Sequence, residues 1–529
     1  MNKLLTFILV LLFQTAFAQE HAWVYFKDKP EAVFAMANPL TMLSQRALDR
    51  RKRQNITLDF KDVPLSNNYY NQIASKSGIL VRAKSKWLNA VHVYGLETDI
   101  TALNTLNFVD HIEFANKNLS AKNLKNTNIT QHQDKFNDLT DYDYGEAYNQ
   151  VNQMRVDYLH EQNFTGKTMQ IAVIDAGFPG VDTFSAFQQI RDNDQILGGY
   201  NFVDRSPNFY QNHRHGTSVL STIAGFVEGE LVGTAPNAKF YLFITEDTNS
   251  ETPLEESLWV EAAEKADSLG VDVINTSLGY IDFDNSNYTH LYSDMDGETT
   301  FIARGANIAS ERGMIVVVSA GNSGNNTYFN IGTPADADHV FTVGAVSEDG
   351  IIANFSSYGP SYDNQIKPDA DAKGLHATVI NASGNVVTGN GTSYASPIMA
   401  GAIACFWEAF PNKTNFQIMQ MVRESAHLYT HPTDQEGYGI PNFEKAFLRT
   451  YAFADIRFYP NPVKNIVHLQ FLNRNVNYKI KVYNVLGEKI IDQENKNQDV
   501  LNFSNFNSGI YLLQIENKEE QKTFKILKK

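Results

Sequence analysis

The chain has 529 residues, a formal net charge of −15 and a single cysteine. That length exceeds one ordinary core and predicts three or more folded units. The acidic balance argues against a nucleic-acid binder, which needs clustered Lys and Arg, and one cysteine excludes an intramolecular disulfide.

The chain opens with "MNKLLTFILVLLFQTAFAQ", in which a Lys precedes an apolar run from Leu4 to Phe13 and then Ala16-Phe17-Ala18. This pattern predicts a signal peptide over residues 1–18, cut after Ala18. The run is too short to span a bilayer, and no later stretch is long and apolar enough to do so. The mature protein is expected to be exported, with no transmembrane segment.

Residues 19–118 read as a compact α/β unit. "AWVYFKD" has the pattern of a strand, Leu43 to Arg53 of a helix, "ILVRAKSKWLNAVHVYG" of a strand, turn and strand, and "VDHIEFA" of a closing strand. The one basic cluster, "RALDRRKRQ" (Arg46 to Gln54), reads as a solvated helix face rather than a binding patch. Residues 119–145 are rich in Asn, Lys and Asp and predict an exposed linker.

Across residues 146–450 short apolar runs alternate with helical stretches: "MQIAVID", "AKFYLFI", "VDVINTSLG", "MIVVVSAGN" and "VFTVGAV". Such runs are strands buried on both faces. In "PLEESLWVEAAEKADSLG" Leu254, Leu258, Ala262 and Ala266 share a helix face. The alternation predicts a doubly wound parallel α/β domain with its site at the carboxyl ends of the strands. Cys405, in the apolar "GAIACFW", reads as core. Residues 455–529 combine alternating strands with turn signals, the pattern of a small β-sandwich, and end rich in Lys.

Four residues of the central unit carry chemistry. Asp175 ends "MQIAVID" and precedes a turn, where a surface Asp is the alternative. His215, in "NHRHGTSVLSTIAG", falls in the first turn of a helix of small residues; His213 competes but lacks the Gly neighbour. Asn322, in "SAGNSGNN", ends a strand where its amide can donate to a developing oxyanion, or simply close a turn. Ser393, in "GNGTSYASPIMAG", opens a helix near free N–H groups and the positive dipole end; it could equally be a small packing residue. A serine hydroxyl needs a base, and the base needs an acid that fixes its tautomer. Asp, His and Ser occur in that order, each at a strand end or helix start, with the Asn between His and Ser.

On "IAVIDAGF", "HGTSVLSTIAG", "AGNSG" and "GTSYASPIMAG" the chain resembles the subtilisin-like serine peptidases, from about Tyr148 to Leu448. "FSSYGP" (Phe355 to Pro360) matches a further family stretch. The resemblance implies that Asp175 orients His215, that His215 is general base and then acid, and that Ser393 attacks. It also implies that Asn322 and the Ser393 N–H hold the oxyanion, and that Ser277, Leu278 and Gly279 of "NTSLGY" pair with the substrate backbone. Two departures stand out: Ile398 replaces a usual His in "SPIMAG", and Tyr280 to Thr300 forms a longer loop beside the substrate strand.

The N-terminal unit looks like a subtilase propeptide, which implies a folding template whose C-terminal tail plugs the site. The last unit resembles the sorting domains of type IX secretion on "YPNPVKN", "VYNVLGE" and "SGIYLLQI". That implies the type IX machinery as partner, passage through the periplasm, and an extracellular or outer-membrane destination. Many relatives bind calcium, and the oxygen-rich runs "RDNDQ" and "DFDNSN" suit that ion; no ligand set can be assigned, and the reaction itself requires no cofactor. The expected function is a secreted endopeptidase acting on polypeptides through an acyl-enzyme on Ser393. The alternatives are a catalytically silent fold used for surface binding and a processing peptidase of narrow specificity.

Overall fold

The computed structural model describes residues 19–119, 142–454, 457–470, 478–495, 500–516 and 521–529. The expected signal peptide and most of the expected linker lie outside the described residues.

The central unit is built on a seven-stranded sheet whose strands, in spatial order, are Ala370–Lys373, Phe341–Val346, Ile315–Ser319, Val273–Thr276, Gln170–Asp175, Lys239–Ile244 and Ile196–Asn201. Every pairing is parallel, so both faces must be covered by the crossover connections. The continuous apolar runs follow from this. Ile171 and Val173 face one core with the helices His215–Ala224 and Thr392–Ala409. Ala172 and Ile174 face a second core with Leu254–Leu269 and Phe301–Glu311. After Gln170–Asp175 the chain lays two strands on one side of it, then crosses to Val273–Thr276 on the other. This reversal beside Asp175 is the kind of place where open α/β sheets bind ligands.

The N-terminal unit is an antiparallel sheet in the order Ile79–Ser85, Ala90–Leu96, Gln19–Phe26, Val109–Phe114. It also carries the helix Asn67–Ala74, whose polar, aromatic sequence gives little helical signal. Alternation divides its first strand between two cores. Ala22, Val24 and Phe26 pack within the unit, whereas Trp23 and Tyr25 join the second core of the central domain, with Trp23 stacked on Phe301.

The basic run corrects the expectation of a solvated helix face. In the helix Gln45–Arg53, Arg50 and Arg51 are buried against Leu254–Leu269. Both pair with Asp267, and Arg51 also binds Asp62 at 2.8 Å. Arg46 pairs with Asp272. Periodicity alone could not show this, because Asp267 and Asp272 lie more than 200 positions away. The same helix of the central unit accepts a second set of contacts from the N-terminal unit. Glu264 accepts the Ser85 hydroxyl at 2.6 Å and the N–H groups of Trp87 and Lys86 at 2.9 and 3.0 Å. The two units therefore meet through a buried polar interface as well as an apolar one.

The last unit is two small sheets, of three and four strands, around one core that includes Val467, Ile480, Leu513 and Ile526. Cys405 is fully buried. Among the described residues, no helix is long and apolar enough to cross a membrane.

Candidate active site

Asp175 is the last residue of its strand and is fully buried. Its Oδ1 accepts the Ala176 N–H at 2.7 Å and faces His215 Nδ1 at 2.8 Å. His215 is the first residue of its helix. Gly216 explains how helix and strand come so close: a Cβ there would lie 2.5 Å from Gly177 O and 2.9 Å from Asp175 Cβ. His213, the competitor, is exposed outside this contact. Burial draws the His215 pKa down, but the Asp175 carboxylate, its hydrogen bond and the charge of Glu246 outweigh it, and the net shift is upward.

Ser393 is the second residue of the helix Thr392–Ala409, which follows Gly391 with φ +152°. Its hydroxyl donates to Ser277 O at 3.3 Å, and Ser277 Oγ donates back to Ser393 O at 2.9 Å. That carbonyl needs an outside donor because Pro397, four residues on, has no N–H to give it. Asn275 Nδ2 in turn donates to Ser277 Oγ at 3.1 Å, and Asn275 Oδ1 accepts from Ser396 Oγ at 2.9 Å. The end of the strand Val273–Thr276 and the start of the serine helix are thus locked together by side chains.

Asn322 follows the strand Ile315–Ser319. Its Oδ1 accepts the Thr392 N–H at 2.9 Å and the Thr392 hydroxyl at 3.1 Å. This fixes the amide beside the serine with its NH2 group turned the other way, and the residue is exposed. Leu278 is half-buried and Gly279 exposed; among the described residues, neither has a backbone hydrogen-bond partner. The next residue, Tyr280, pairs with Thr333 in both directions, at 2.8 and 3.3 Å. The expected residues therefore gather at the carboxyl end of the sheet.

Sequence reasoning missed three residues here. Asn275 was visible as a polar residue inside an apolar strand. Glu246, two positions past the strand Lys239–Ile244, obeys the same strand-end rule as Asp175. Tyr280 donates its hydroxyl to Glu246 at 2.6 Å, a pairing that only the fold creates. Ile398 is fully buried in the serine helix. Among the described residues, no group of three or more His, Cys, Asp or Glu is placed to hold a metal ion.

Comparison with known proteins matches each unit. Residues 21–133 match the Peptidase S8 propeptide domain of Bacteroidota, 166–440 the Subtilase family, and 457–529 the Secretion system C-terminal sorting domain. The chain is 28% identical to the thermostable alkaline protease of Halalkalibacterium halodurans over 275 residues, which span 52% of this chain and 66% of that protein. It is 30% identical to Subtilisin NAT of Bacillus subtilis subsp. natto over 299 residues, 56% of this chain and 70% of that one. Among solved structures it is similar to MycP1 with the N-terminal propeptide removed, at a TM-score of 0.46 and 23% identity, covering 56% of this chain and 96% of the other. The Subtilase match covers more than half of the residues and contains Asp175, His215, Asn322 and Ser393. The chain therefore belongs to the subtilase family, with an S8 propeptide ahead of its central domain and a secretion sorting domain behind it.

Proposed function

We propose that the protein is a serine endopeptidase made as a precursor, and that it hydrolyses polypeptides through an acyl-enzyme on Ser393. The hydrogen bond from His215 to Asp175 carries this reading. With Nδ1–H held by Asp175, the neutral imidazole presents Nε2 as the base. When a substrate carbonyl arrives, the Ser393 hydroxyl leaves Ser277 O and gives its proton to Nε2 as Oγ attacks. The tetrahedral oxyanion lies between the Asn322 NH2 group and the Ser393 N–H; removing one such donor in a peptidase of this kind costs about 3 kcal/mol of transition-state stabilisation. His215 then passes the proton to the leaving amine, and water repeats the cycle in reverse to free the acid product. Among the described residues the backbone of Leu278 and Gly279 has no partner, which supports pairing with an extended substrate strand.

The sorting domain supports export by the type IX machinery to the cell surface or beyond it. The docked N-terminal unit supports a precursor that matures by losing it. The test compares wild type and Ser393→Ala, each treated with a fluorophosphonate probe and given unfolded casein. Wild type is expected to be labelled, to degrade casein and to shed its N-terminal unit, and the variant to do none of these. A folded wild type freed of that unit that neither labels nor cleaves would overturn the reading in favour of a surface-binding role.

A further inference from the structure

Asp175 is not the only carboxyl group acting on His215. The Thr245 N–H donates to Asp175 O at 3.2 Å, so Glu246, past the end of the neighbouring strand Lys239–Ile244, directly follows the residue that pairs with the acid's own carbonyl. Its Oε1 accepts the Tyr280 hydroxyl at 2.6 Å and the Thr245 hydroxyl at 3.0 Å. Tyr280 is 1% exposed and directly follows Ser277, Leu278 and Gly279. One carboxyl group thus touches the end of the substrate-pairing segment and lies within electrostatic reach of the Asp175–His215 pair.

We propose that Glu246 is a positioning residue for the base: seated on Tyr280 beside Asp175, its carboxylate stabilises the imidazolium that His215 becomes during acyl transfer. The inference rests on the reading of His215 as that base. The imidazolium is a transient cation behind which a second fixed negative charge lowers the energy of the charged state without contacting the reacting atoms. The surroundings make this charge adjustable. The groups facing Glu246 are Asp175 from the neighbouring strand, Glu251 from the turn, Glu255 from the start of Leu254–Leu269, and the Tyr280 hydroxyl; Arg214 is the cation beside His215. Burial first, and the repulsion among these acids second, push both Glu246 and Glu255 upward, while the Tyr280 hydrogen bond draws Glu246 back down. Glu255 also accepts the N–H groups of Asp247 and Thr252 at 2.9 and 3.0 Å; pushed up to about 10, it stays protonated through the neutral range and leaves the ionised role to Glu246.

Two substitutions should therefore separate the charge of Glu246 from the packing around it. Glu246→Gln keeps an oxygen for the Tyr280 hydroxyl but removes the charge. The His215 pKa falls, and the limb moves down by about half a pH unit, equivalent to about threefold in imidazolium stability. The plateau rate should drop by a similar factor. Glu255→Gln replaces a carboxyl group that is already protonated and should leave the acid limb in place. The measurement is the second-order rate of fluorophosphonate labelling against pH, in the full chain expressed as the precursor and allowed to process, with Ser393→Ala as the control. A packing defect alone would lower the plateau and leave the limb in place. A Glu246→Gln limb that superposes on wild type, or a Glu255→Gln limb that moves down with it, overturns the proposal while wild-type labelling leaves the Ser393 reading intact. If wild type is not labelled, both fall. Should Glu246→Gln fail to fold, Tyr280→Phe serves: losing its donor keeps Glu246 protonated to higher pH, and the limb must again move down.

Discussion

Ser277 and Ser393 exchange hydrogen bonds across 116 positions: Ser277 Oγ donates to Ser393 O at 2.9 Å, and Ser393 Oγ donates to Ser277 O at 3.3 Å. Pro397 makes the first bond necessary, because the helix cannot supply a donor to that carbonyl. The proposed nucleophile is therefore held in register with the segment expected to pair with substrate.

Ser277→Ala leaves the Ser393 carbonyl without its donor. Stability should fall by about 1 kcal/mol, and the labelling rate of Ser393 by about tenfold as its helix turn loosens. Adding Pro397→Ala supplies a backbone N–H to the same carbonyl, so the double variant should recover stability that Ser277→Ala lost. Thermal melts of the four members of this cycle check the coupling, and strict additivity would refute it.

Asp267 carries the docking of the N-terminal unit. Arg50 and Arg51 are both buried against it; burial raises the Asp267 carboxyl, but Arg51, Lys86 and Arg50 overcome this and hold it down at about 2. Asp267→Asn leaves the guanidinium of Arg50 uncompensated, and breaking a buried pair in this way costs about 3–5 kcal/mol. The variant precursor should fold in lower yield and lose its N-terminal unit to added trypsin sooner than wild type.

Docking should be strongest near pH 6.5. His21 and His92 touch at 2.8 Å in the interface, and His92 reaches Ser257 at 2.7 Å. Burial, then Arg82, holds His21 down at about 4; burial, then His21, holds His92 well below its ordinary value. Both are neutral when docked and take up protons when released. Their contribution is present above 6.5 and fades as pH falls toward 4. Glu264 acts oppositely: burial raises it to about 7, so its contribution is present at acid pH and fades between 4.5 and 7. Between 4.5 and 6.5 the two histidines outnumber the one acid, and acidification should weaken docking. Trp23 fluorescence in the Ser393→Ala precursor, titrated from pH 7.5 to 4.5, reads this. An intensity that is flat over the range would exclude the histidine pair as its cause.

Asp371 is a buried acid with neither carboxyl oxygen hydrogen-bonded to another group among the described residues. Burial, then Glu436, pushes its pKa well above the ordinary carboxylate value. Because the folded value is raised, ionisation opposes folding, and stability is lost as pH climbs above 3.8. Asp371→Asn should therefore raise the melting temperature at pH 8 by several degrees relative to wild type and by much less at pH 4.

How much of this was legible beforehand depended on the range of the forces. Five of the seven strands of the central sheet were visible as continuous apolar runs, whereas the edge strands Ile196–Asn201 and Ala370–Lys373, with Gly, Asn, Asp or Lys among their residues, were not; the first strand of the N-terminal unit was visible by its apolar character. Asp175, His215, Asn322 and Ser393 could be picked out because each sits beside its own signal: a strand end, a following Gly, a helix start. These patterns depend on neighbours within a turn or two of the chain. The basic run Arg46 to Gln54 was read wrongly for the same reason, since a cationic helix face looks solvated until an acidic partner covers it.

The sequence by itself determined most of the central strands, the identity of the proposed triad and the three-unit order of a family member with a propeptide and a sorting tail. Only the tertiary structure decided that Arg50 and Arg51 are buried, that Ser277 completes the serine helix and that Glu246 stands on Tyr280 beside Asp175. Local conformation follows from backbone sterics and nearby side chains. A buried charge or a completed hydrogen bond requires two distant segments to meet, and which segments meet is set by how the sheet orders its strands.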